Sequence, residues 1–73
     1  MNTTEWYSGD QKPETVGIYK RHFILFPDFD FYSWWGGLEW SCLKDTIEDA
    51  EFNKYIISVH QNLPWAVLTE ENK

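Results

Sequence analysis

Seventy-three residues form a single domain, 1–73, and leave no room for two. Twelve acids against six bases give a net charge of −6, which repels phosphate backbones and speaks against direct nucleic-acid binding. A lone cysteine, Cys42, excludes an internal disulfide, and its spacing from His22 and His60 suits no structural zinc site, so neither a metal nor a cofactor is expected.

Residues 1–15 are polar, with turn signals at Gly9-Asp10 and Lys12-Pro13, and read as an irregular segment from which Trp6 folds back onto the core. The run from Val16 to Phe26, VGIYKRHFILF, is rich in β-branched and aromatic residues and bounded by Pro13 and Pro27, which predicts a strand. Alternation puts Tyr19, Phe23 and Leu25 on one side of it and Ile18, His22, Ile24 and Phe26 on the other. Pro27-Asp28-Phe29-Asp30 turns the chain into a second strand, Phe31 to Trp35. Gly36-Gly37 then suits a two-residue hairpin turn, because glycine takes positive φ without steric cost. Leu38 to Cys42 or Leu43 is the third strand.

Asp45-Thr46-Ile47-Glu48 resembles a capping box, with Asp45 as N-cap and Glu48 as the reciprocal acceptor. A short helix from about Thr46 to Tyr55 follows, turning Ile47, Ala50 and Phe52 to the sheet and carrying Lys54 near its end, as the helix dipole prefers. Ile56 to Val59 is a fourth strand or an extended connector. Asn62-Leu63-Pro64 breaks the chain, Trp65 to Leu68 is a last apolar segment, and 69–73 is a frayed polar tail. The expected fold class is α+β, a small antiparallel meander sheet of three to four strands with one short helix packed on it. Five tryptophans, four tyrosines and five phenylalanines supply the core, since each buries roughly 150–250 Å².

Pairing across a two-residue loop sorts the hairpin into faces, and a four-residue loop preserves the assignment. One face carries Phe31, Ser33, Trp35, Leu38, Trp40 and Cys42 and is the core face. The other carries Tyr32, Trp34, Glu39 and Ser41, which reads either as an exposed recognition surface or as a second small core under the helix or the Trp65 segment.

Chemistry is sparse. Cys42 with His22 or His60 is the only nucleophile–base candidate, and a cysteine on a core face acts as a small hydrophobe. Asp28 and Asp30 lack EF-hand spacing for calcium. No phosphate loop or Rossmann fingerprint is present, so the chain is not expected to be an enzyme. From Asp28 to Glu51, however, seven acids face one base, Lys44, and acids interleaved with aromatics suit a basic protein partner. The candidate partner-binding residues are Tyr32, Trp34 and Glu39, with Asp28, Asp30, Glu48, Asp49 and Glu51 supplying the field.

The pattern Trp6…Lys12-Pro13…Gly17-Ile18-Tyr19…Tyr32-Ser33-Trp34-Trp35-Gly36-Gly37-Leu38-Glu39-Trp40-Ser41…Leu63-Pro64-Trp65 resembles small tryptophan-rich proteins encoded by phages and prophages. In those, the late Pro-Trp often continues with Arg-Gly; here Ala66-Val67 follows. The resemblance implies an intracellular accessory protein that binds a host protein and inhibits it, with no catalytic residues to carry over. MNTTEWYSGD has neither a basic n-region nor an apolar h-region, so the expected place is the cytoplasm, that of the host cell if phage-encoded, without a membrane. Two other functions fit the same aromatics: a platform on which Tyr32 and Trp34 stack a sugar or nucleobase, and a structural subunit or homodimer.

Overall fold

The computed structural model describes residues 5–68. It contains four antiparallel strands and one short helix: β1 (Trp6–Tyr7), β2 (Gly17–Arg21), β3 (Phe31–Trp35), α1 (Ile47–Phe52) and β4 (Trp65–Ala66). The α+β class holds, but the sheet is no meander. Its order is β1-β4-β2-β3, so the C-terminal strand lies between the two N-terminal ones. Pro64 ends the preceding loop, and its carbonyl accepts from His22 N at 3.2 Å, extending the β2–β4 ladder by one bond. The tail at 69–73 lies outside the described residues.

β2 is half the expected length. Beyond Arg21 the chain makes two successive turns, Phe26 N donating to Phe23 O at 3.0 Å and Phe29 N to Phe26 O at 3.2 Å. The phenylalanines recur every three residues, which brings them together across i→i+3 turns and not along a pleat of period two. Phe23 and Phe26 lie 5.7 Å apart, and Phe26 and Phe29 stack at 5.9 Å with nearly parallel rings. Ile24, Leu25 and Phe26, expected in a covered strand, are therefore exposed on a loop.

β3 has the expected bounds, and its hairpin closes by four residues. Trp35 bridges Trp40, Gly36 N donates to Glu39 O at 3.1 Å, and Gly37 takes φ 102°, which only glycine adopts without strain. Leu38 consequently leaves the core for the loop tip, 87% exposed. The expected third strand is reduced to isolated bridges. Between the Trp35–Trp40 and Tyr32–Lys44 bridges β3 advances three residues while the returning chain advances four, a bulge at Cys42-Leu43. Ser41 Oγ enters the ladder itself, accepting from Trp34 N at 2.8 Å. The Gln61 side chain edges Trp40 in the same way, accepting from its N at 2.8 Å and donating to its O at 3.0 Å. Ile56 to Val59 is a connector that touches the sheet through one Ser41–Ile57 bridge.

Register assigns the faces. Tyr7, Tyr19, Arg21, Ser33, Trp35 and Trp65 share one, over which Trp40 closes; Trp35, Trp40 and Trp65 are its buried centre, with Tyr7 and Tyr19 packed against them. Tyr7, not Trp6, is the residue that folds in: it stacks on Trp65 at 4.5 Å, while Trp6 points to the opposite face, half open, edge-on to His22. Trp65 Nε1 donates to Gln11 O at 2.7 Å, which ties the N-terminal segment down.

The other face carries Ile18, Lys20, Tyr32, Trp34 and Ala66, and α1 lies across β3 and β2 on this side. The helix begins one residue later than the capping box suggests. Thr46, not Asp45, is the N-cap, its Oγ1 accepting from Asp49 N at 3.0 Å. α1 stops at Phe52, so Lys54 lies beyond it. Ala50 is buried, whereas Phe52, about 200° further round the axis, is 86% exposed and does not face the sheet.

Candidate functional site

The candidate binding residues separate into two sites at opposite ends of β3, roughly 13 Å apart along the strand. At the Phe31 end, Asp28, Phe29, Asp30, Phe31 and Asp45 line a hollow of ≈350 Å³. A second hollow of ≈200 Å³, lined by Leu25, Phe26, Pro27, Asp28 and Phe29, adjoins it through the shared Asp28 and Phe29. The 23–29 turns bring the first two acids to the start of the helix, where Asp45 is free of the capping role that Thr46 has taken. Glu48 and Asp49 follow, exposed in the first helical turn.

Phe29 stands 62% exposed among these carboxylates. The single ion pair among the described residues is Lys54–Glu51 at 3.8 Å, so Asp28, Asp30 and Asp45 have no cation of their own there. The Tyr32 phenol is held above its ordinary pKa by burial and then by the charge of Asp30.

At the Trp35 end, Trp34 and Glu39 line a groove of ≈270 Å³ with Gly36, Leu38, Lys54, Tyr55 and Ile57. Neither Trp34 nor Tyr32 is a free aromatic platform. Both are half-buried on the helix side, and the Lys54 ammonium sits 4.8 Å from the Trp34 ring centroid. Of the two readings of that face, half-burial of both aromatics favours the covered one. Its open margin is the groove beside Trp34.

Of the eight residues singled out, the structure thus gathers Asp28 and Asp30 into one site and Trp34 and Glu39 into the other. Tyr32 is half-buried and bridged to Lys44, and Glu51 is engaged with Lys54. Sequence reasoning missed Asp45, Phe29, Phe26 and Leu25 at the acidic end, and Leu38 and Tyr55 at the groove. The three-residue recurrence of phenylalanine from Phe23 was the signal that could have found the first group.

Cys42 is half-buried, and no hydrogen bond joins it to a histidine among the described residues; the His22 ring lies against Trp6 and the His60 ring against Phe23, at 4.8 Å. Among the described residues no group of three or more His, Cys, Asp or Glu side chains is placed to hold a metal ion, and no helix is long and apolar enough to cross a membrane. No family model, curated protein or solved structure matches the chain.

Proposed function

We propose that the chain is a non-enzymatic accessory protein, of the phage or prophage kind its aromatic pattern resembles, that binds a basic surface of a host protein in the host cytoplasm and inhibits it there. The observation that carries this reading is the hollow at the Phe31 end: three carboxylates, Asp28, Asp30 and Asp45, around the exposed Phe29, with no ion-pair partner among the described residues. Unpaired acids steer a cationic partner and strengthen once desolvated against it, while an aromatic at the centre of such a patch supplies the apolar anchor. Glu48 and Asp49 extend the same field along the first turn of α1. The partner this chemistry fits presents Lys or Arg around an apolar notch.

Affinity capture from host lysate with the wild-type chain, beside Asp28→Asn/Asp30→Asn/Asp45→Asn and Phe29→Ala variants, tests it. A specific partner should be retained at low salt, released as ionic strength rises, and lost with either variant. Recovery of no protein, or of one whose binding ignores both salt and the aspartates, defeats the proposal.

A further inference from the structure

We infer that the groove beside Trp34 is a homodimer interface, occupied by the same groove of a second copy across a twofold axis. Its lining combines large apolar side chains left open in the single chain, Leu38 at 87%, Tyr55 at 83% and Ile57 at 53% exposure, with one carboxylate, Glu39, and one ammonium, Lys54. These side chains share one open groove, where a facing apolar surface would cover them.

Charge selects the occupant. The chain carries −6 overall, whereas Glu39 and Lys54, which line the groove, cancel, and only Glu51 behind Lys54 adds a further charge at its margin. Two copies repel one another through an acid-rich surface and meet with the least of that penalty here. A basic partner of the sort suited to the Phe31 end would confront Lys54, and an acidic one would confront Glu39. A second copy satisfies both. In a twofold interface residue i meets j and j meets i, so Glu39 of each copy faces Lys54 of the other, giving two ion pairs for one interface.

Lys54 is already held at the groove, 4.8 Å from the Trp34 ring centroid and 5.6 Å from that of Tyr55, with Glu51 at 3.8 Å behind it. Little side-chain freedom remains to be lost on association. The inference does not depend on the acidic hollow. A dimer joined at the Trp35 end leaves both acidic ends free and makes the assembly bivalent.

Sedimentation equilibrium of the full chain over a wide concentration range reads the mass directly. The expected result is a reversible monomer–dimer equilibrium that survives ~1 M salt, where the Debye length falls to about 3 Å and the apolar contacts remain. Glu39→Lys and Lys54→Glu should each weaken the dimer about tenfold or more, because each sets two like-charge pairs across the axis. The double variant, Glu39→Lys with Lys54→Glu, should restore it. Leu38→Asp, at a loop tip outside the core, should abolish the dimer while the near-ultraviolet circular dichroism of the tryptophan core stays that of the wild type. A chain that is monomeric at every concentration overturns the inference. So does a dimer that neither single reversal weakens, or one that the double variant fails to recover.

Discussion

Arg21 sits over the indole of Trp40, its guanidinium carbon 3.9 Å from the ring centroid, and both side chains are closed to solvent at 1% and 0% exposure. Nη2 donates to the carbonyls of His60 and Leu63, each at 3.3 Å, while Nε and Nη1 find no acceptor among the described residues. No carboxylate pairs with it among the described residues, and burial pushes its pKa down to about 10. The contact with Trp40 and two backbone bonds thus offset only part of the cost of burying this charge.

Replacing that charge with an apolar chain of similar length should therefore not harm the fold. Arg21→Met is expected to be neutral or to raise stability by about 1–4 kcal/mol. Arg21→Ala leaves a cavity under Trp40 and should cost about 2–4 kcal/mol. Urea denaturation followed by tryptophan fluorescence ranks the two. A large loss in the methionine variant would show that the stacked cation is itself stabilising.

The helix start separates two adjacent residues. Thr46→Ala removes the acceptor for Asp49 N and should cost roughly 0.5–2 kcal/mol, whereas Asp45→Ala, at a residue that caps nothing, should change stability little. Equal losses in the same denaturation experiment would restore Asp45 as the cap.

Gly9 lies against the backbone carbonyl of Asn62, leaving no space for a Cβ. Beside it Lys12 Nζ donates to Gly9 O at 2.9 Å and Gln61 O at 3.0 Å, stitching the N-terminal loop to the segment before β4. Gly9→Ala should force these strands of chain apart and lower stability by about 1–3 kcal/mol. Hydrogen exchange should show the loss at β1 and β4 first.

Tyr19 and Tyr32 both have phenols raised above the ordinary 10.0, by burial in each case and in Tyr32 also by Asp30. An acid whose folded-state pKa is raised contributes stability in full below its unfolded value and loses it as pH climbs through the folded value. Stability should therefore decline above pH 10.0, with these two phenols ionising after the ordinary ones. Asp30→Asn should bring the Tyr32 titration down and leave Tyr19 where it is, as read by tyrosine-resolved NMR.

Local chemistry was enough for part of this protein. The aromatic run Phe31–Trp35 followed by Gly36-Gly37 specifies β3 and its hairpin, and Asp45–Glu48 marks a helix start to within one residue, because both depend on contacts a few residues apart. The acid excess after Asp28 is likewise plain in the sequence, though its division into two sites is not. Tertiary structure alone decided that Trp65 enters between β1 and β2, that Tyr7 rather than Trp6 turns inward, and that Arg21 is buried while Leu38 is expelled. Those outcomes follow from which large rings can pack together in so small a core, a competition among residues up to fifty-odd positions apart, as between Gln11 and Trp65. A periodicity window reads one strand at a time and cannot weigh that competition. For the Phe23–Phe29 turns, the same aromatic richness that suggested a long strand proved to be a local stack, since spacing by three, rather than hydrophobicity, sets which rings meet.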